Sequence, residues 1–138
     1  ALGASRIALV SPYDDALTTT CVGYWNDRGF AVEDIASVWR ISEEFHPIYS
    51  LESEAASFAL ESLRATRANA VVMLGTGLPT LRPILARPLV GGAPVISSNL
   101  CLAWRMAESD SGTEPSAERL LQWVMAEHWG ARLHTLSA

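Results

Sequence analysis

Four short apolar runs punctuate the chain, and each is closed by a turn residue or followed at once by a helical pattern. RIALVSP runs from Arg6 to Pro12 and predicts a buried strand near 6–11. Asp14 or Asp15 can cap the helix that follows, and Leu17, Cys21 and Tyr24 or Trp25 recur at one-turn spacing as its apolar stripe. Gly29 is its natural stop. FAVEDIASVWR carries apolar positions at Val32, Ile35 and Val38 and predicts a second strand near 31–38. LESEAASFALESLRATRA predicts the clearest helix. Ser50 is its cap, Glu52 and Glu54 lie in the first turn, Arg64 and Arg67 lie in the last, and Leu51, Ala55, Phe58, Ala59 and Leu63 form the buried face. AVVML predicts the third strand at 70–74, LPTLRPILARPLV a short or kinked proline-punctuated helix, and APVIS the fourth strand at 94–97. A helix begins directly in LCLAWRMAE. After the polar SDSGTEP, a last helix sets Leu120, Val124 and His128 on one side and stops at Gly130.

No internal repeat interrupts this β-α-β-α-β-α-β-α-α order. Regular alternation predicts a single α/β domain over 1–138: a flavodoxin-like three-layer sandwich on a four-stranded parallel sheet of order 2-1-3-4. Ligands of such sheets bind beyond the carboxyl ends of the strands. That rule selects Ser11-Pro12-Tyr13, the loop holding Glu43, Glu44 and His46, Gly75-Thr76-Gly77, and Ser97-Ser98-Asn99.

Composition narrows the function. The 138 residues are 49% hydrophobic and 18% charged, which fits one globular core. A net charge of -5 argues against a nucleic-acid partner. No apolar run reaches the roughly 18 residues of a membrane span. Cys21 and Cys101 have neither a C-x-x-C nor a histidine spacing, so no metal site is expected and a reducing cytoplasm fits better than a disulfide scaffold.

The strand-end stretches leave alternatives open. Gly75-Thr76-Gly77 is either an anion cradle opening a helix or a tight strand-to-helix turn. It lacks the Lys-Ser/Thr of a Walker loop and the spacing of a dinucleotide fingerprint. Ser98 and Asn99 can donate to a carboxylate or simply cap a helix. The Tyr13 phenol can reach the same pocket or sit half-buried at the surface. Cys21 reads as core, Cys101 as packing near a helix start, and Glu43, Glu44 and His46 as a solvated loop, an acid/base set or a metal site. His128 and His134 have no partner in sequence, and Trp123 and Trp129 read as core or interface.

ALGASRIALVSPY, GYWNDRGFAV, ANAVVMLGTGLPTL and APVISSNLCLAW together resemble the second half of the maleate isomerases and arylmalonate decarboxylases, in the aspartate/glutamate racemase superfamily. The similarity runs from about Ala1 to Glu108. The resemblance implies an isomerase or decarboxylase that acts on a small carboxylic acid without cofactor or metal, at a site between two similar halves. It implies Tyr13, Thr76, Gly77, Ser98 and Asn99 as substrate-binding residues. The family's cysteine in this half falls at Gly75, so the catalytic thiol would come from the other half and no catalytic residue is assigned here. The family's carboxylate-binding Asn aligns near Glu44, where a carboxylate repels an acidic substrate. The same resemblance makes this chain the C-terminal half of a longer protein, completed by its N-terminal half or by a second copy. Two rivals stand beside it: a non-catalytic acid-binding or interaction domain, and an α/β domain that binds a phosphate compound at the glycine loop.

Overall fold

The computed structural model describes residues 1–39, 50–126 and 129. In chain order its elements are β1 (Arg6–Ser11), α1 (Asp15–Asn26), β2 (Ala31–Ser37), α2 (Ser53–Ser62), β3 (Ala70–Met73), α3 (Leu81–Ala86), β4 (Leu89–Val90), β5 (Ala93–Ser97), α4 (Ser98–Asp110) and α5 (Ala117–Val124). They form one five-stranded sheet of order β2-β1-β3-β5-β4. The first four of these positions are parallel, with Ile7 beside Ala70 and Val71 beside Val95. They reproduce the expected order, with β5 as the fourth predicted strand.

The fifth strand corrects the expectation of four. Leu89–Val90 pairs antiparallel with β5 through the Gly91-Gly92 turn. Both glycines have positive φ, 57° and 85°, as a two-residue hairpin turn of mirror-image type requires. Two residues are too few to show an alternation, so the sequence pattern merged them with the preceding helix.

Central strands are buried on both faces, as parallel strands between helices must be. Alternate residues feed opposite sides. Ala8, Val10, Val71, Met73 and Val95 enter the larger cluster with Ala56, Ala59 and Leu60 of α2, Ile84 of α3, Trp104 of α4, and Leu120 and Val124 of α5. Ile7, Leu9, Ala70 and Val72 face the other way, against Val22 and Trp25 of α1, Phe30, Leu74 and Ile96.

Helix details depart from the sequence pattern. α2 covers Ser53–Ser62 only. Glu52 is its N-terminal boundary and makes no side-chain cap bond, and Arg64 and Arg67 lie beyond its end. Its core side is Ala56, Ala59 and Leu60, whereas Phe58 is 77% exposed. The register of the apolar stripe is set by small alanines that let α2 lie close to the sheet, and the bulky Phe58 points away. On α1 the expected stripe is also turned: Leu17 is 46% and Tyr24 50% exposed, and the buried residue is Thr18. Asp14 is the cap, accepting from the Leu17 N–H at 2.8 Å. α4 is capped by Ser97, not by Ser98 or Asn99, through the Leu100 N–H at 3.3 Å. α5 starts at its Ser116 cap and buries Leu120 and Val124 as expected. Glu43, Glu44, His46, His128, Gly130 and His134 lie outside the described residues.

Between α4 and α5, buried Glu108 receives the Arg119 guanidinium on both carboxylate oxygens, one of them at 3.0 Å. No helix among the described residues is long and apolar enough to cross a membrane.

Candidate functional site

The connection from β1 runs to β2 on one side, while the return from β2 places β3 on the other. At such a reversal the loops after β1 and β3 part, and a crevice opens at their carboxyl ends. Tyr13 follows β1 there, Gly75-Thr76 follow β3, and Ser98 follows β5.

The β1 loop is fixed by a closed ring of hydrogen bonds. The Tyr13 N–H donates to Ser11 Oγ at 3.3 Å, and Thr18 Oγ1 donates to the Tyr13 carbonyl at 3.2 Å. Ser11 Oγ and Thr18 Oγ1 lie 2.7 Å apart. The Thr18 proton is committed to the carbonyl, so the Ser11 hydroxyl donates to Thr18 and the ring runs in one direction. Ser11 and Thr18 are both buried, which leaves these groups no water to turn to.

The β3 loop turns at Gly75, whose φ is 81°. This is the left-handed region, where a side chain is costly and glycine is free. Thr76 and Gly77 belong to a turn, and α3 begins only at Leu81. The expectation that this pair opens a helix is therefore corrected. Thr80 and Pro79 delay the helix by several residues, and the helix start that does meet the crevice is that of α4. Ser98 and Asn99 occupy its first turn, where N–H groups point outward unpaired and the helix dipole is positive. Below them Thr80 Oγ1 donates to Ser97 Oγ at 3.0 Å, tying the β3 loop to the end of β5.

These loops enclose two adjoining cavities. One, of about 530 Å³, is walled by Tyr13, Cys21, Trp25, Gly75, Thr76, Ser98 and Cys101, with Val72, Leu74 and Ile96 beneath. The other, of about 660 Å³, is lined by Thr76, Gly77, Arg82, Asn99 and Ser53, among others. Thr76 and Ser97 line both. Between the cavities Asn99 Nδ2 donates to the Thr76 carbonyl at 3.1 Å. Of the five residues expected to bind substrate, Tyr13, Thr76 and Ser98 thus meet in the first cavity, while Gly77 and Asn99 stand with Thr76 in the second.

Burial pushes the Tyr13 phenol above its ordinary pKa, with the neighbouring Cys21 adding to the effect. Its O–H is kept as a donor. Burial likewise raises both thiols, Cys21 and Cys101. Neither is prepared as a thiolate, although both face the cavity. The sequence pattern assigned Cys21 to a buried stripe, and only the rotation of α1 brings it to this wall. No group of three or more metal-ligating side chains occurs among the described residues.

No family model matches the chain, and no curated protein does. Solved structures do. The maleate isomerase Iso from Pseudomonas putida S16 superposes with a TM-score of 0.68 at 26% identity, over 81% of this chain and 44% of that one. The chain resembles one half of a maleate isomerase. A mutant of the Nocardia farcinica maleate cis-trans isomerase, solved with a covalently bound succinylcysteine intermediate, gives 0.69 at 25% identity, over 80% of this chain and 44% of that one. Arylmalonate decarboxylase shares the fold, with a TM-score of 0.66 at 19% identity over 82% of this chain and 50% of that one. The chain spans about half the length of each of these proteins. The parallel β2-β1-β3-β5 core matches the maleate isomerase fold.

Proposed function

We propose that this domain forms half of a cofactor-independent active site for a small carboxylic acid, of the isomerase or decarboxylase type, with the catalytic thiol supplied by another half. The observation that carries this reading is the convergence of Tyr13, Thr76 and Ser98 on one cavity at the carboxyl edge. Each offers a donor suited to a carboxylate. The Tyr13 hydroxyl is held neutral, the Thr76 N–H has no backbone acceptor among the described residues, and Ser98 brings a hydroxyl and a helix-start N–H. Gly77 and Asn99 support the cradle from the other side of the Thr76 backbone.

A related protein was solved with succinate joined to a cysteine, so a thiol carries out the covalent step in that protein. The sequence resemblance puts the corresponding position of this half at Gly75. Its φ of 81° suits a glycine, and the two cysteines that face the cavity are held protonated. These observations favour binding without nucleophilic attack by this half. They also give the second reading its footing: a small-acid-binding or interaction domain without chemistry of its own.

Calorimetric titration with maleate-like acids tests both. A charge-assisted hydrogen bond contributes about 1.5–3 kcal/mol, so Tyr13→Phe is expected to weaken binding by roughly tenfold or more with the melting temperature little changed. Equal affinity in wild type and variant refutes the cradle as drawn. Binding by both, with no turnover even when the partner half is supplied, selects the non-catalytic reading.

A further inference from the structure

The second cavity contains a cation that pairs with no carboxylate or aromatic ring among the described residues. All ten cationic side chains of this chain are arginines in a protein of net charge -5. Among the described ones, Arg6, Arg64, Arg87 and Arg119 face carboxylates. Arg28 lies 3.5 Å over the Tyr24 ring and Arg105 5.8 Å from the Trp104 ring. Arg82 has no such contact and stands in the wall of the 660 Å³ cavity. Arg67, which also lacks one, lines neither cavity. Around Arg82 the wall carries Asn99, Ser53 and the Gly77 backbone, with Leu78 and Leu81 between. Of the two acids flanking Ser53, Glu54 accepts a hydrogen bond from its hydroxyl at 3.3 Å, and neither Glu52 nor Glu54 is part of the wall.

We infer that Arg82 is a specificity residue that anchors a second anionic group, carried on an extended arm of the acid. The inference rests on the small-carboxylate reading of the first cavity. One carboxylate sits at Tyr13 and Ser98. The arm crosses the shared Thr76 backbone, and the distal anion meets the Arg82 guanidinium in a cavity otherwise neutral and partly apolar. A guanidinium suits this task because its planar fork pairs with a carboxylate through two parallel hydrogen bonds. Its exposure keeps the gain modest and sensitive to salt.

The test is calorimetric titration of the full chain at low salt with straight-chain dicarboxylates of increasing length and with monocarboxylates of matched length. Wild type is compared with Arg82→Gln and Arg82→Lys, and thermal melts establish that both variants are folded. The expected result is that dicarboxylates long enough to span the ridge bind wild type about fivefold more tightly than the matched monocarboxylates. That preference disappears in Arg82→Gln, partly survives in Arg82→Lys, and shrinks at high salt. Monocarboxylate binding with no preference for the dicarboxylate overturns the Arg82 assignment alone. So does a preference that survives Arg82→Gln. Absence of binding by every acid overturns the small-carboxylate reading and this inference with it.

Discussion

The ring formed by Ser11, Tyr13 and Thr18 is the feature on which the geometry of the crevice depends, and Thr18→Val tests it. Valine keeps the shape of threonine and removes only the hydroxyl. In the wild type that hydroxyl donates to the Tyr13 carbonyl at 3.2 Å and accepts from Ser11 Oγ at 2.7 Å. The variant leaves the buried Ser11 proton without its acceptor and the Tyr13 carbonyl without its donor. An unsatisfied buried polar group costs about 1–3 kcal/mol, so Thr18→Val is expected to destabilise the domain by about that much. Ser11→Ala breaks the same ring from the other end. The double variant removes both hydroxyls, so the two losses should fall short of additivity by about 1 kcal/mol. Urea denaturation of the four proteins gives this coupling, and titration with a small acid reports the loss of the Tyr13 position as weaker binding. Additive losses within about 0.3 kcal/mol, together with unchanged acid affinity, refute the argument that the ring holds Tyr13 in place.

Two further expectations concern the scaffold. Gly91→Ala is expected to cost about 1–3 kcal/mol, because the added Cβ falls 2.9 Å from the Thr66 carbonyl oxygen at a φ of 57°. Gly92→Ala carries only the conformational strain, since nothing lies within 4 Å of its Cβ, and equal losses in denaturation would refute the clash. The Arg119 guanidinium holds Glu108 below the usual carboxylate range, against the opposing effect of burial. A depressed folded pKa adds stability that is complete above the unfolded value of about 4.3 and is lost as pH falls through the folded one. Melting temperature against pH should therefore fall less steeply at the acid end for Glu108→Gln, from a lower value near neutrality, and identical slopes would remove Glu108 from the acid response.

Much of the sheet was legible because burial on both faces writes itself as unbroken apolar runs. RIALVS and AVVM needed no partner to be recognised as central strands. The helices were less legible. On α2 the stripe drawn through Phe58 was plausible by size, but close packing against the sheet selects Ala56 and Ala59, and a sequence pattern weights bulk above fit. On α1 the buried residue is a threonine engaged in the Tyr13 ring, which no hydrophobic pattern can mark. At the site, the strand-end rule named all five cradle candidates. It could not say that Thr76 divides them between two cavities, because that depends on the Asn99 side chain turning back to a backbone carbonyl 23 residues away in sequence. Arg82 was missed for a related reason. The inference about it rests on its having no partner among the described residues, and pairing is a tertiary fact.

The two cavities also bear on the glycine-containing turn after β3. A positive φ at Gly75 turns the chain there, and Thr76 after it lines both cavities. An L-residue at that angle would bring strain of about 1–2 kcal/mol and would tend to move Thr76 off the ridge. On the reading proposed above, this domain contributes orientation: one acid group is held at Tyr13 and Ser98 by neutral donors, beside two thiols whose pKa burial raises. That reading leaves the electron-pair chemistry to a thiol brought against the open side of the crevice.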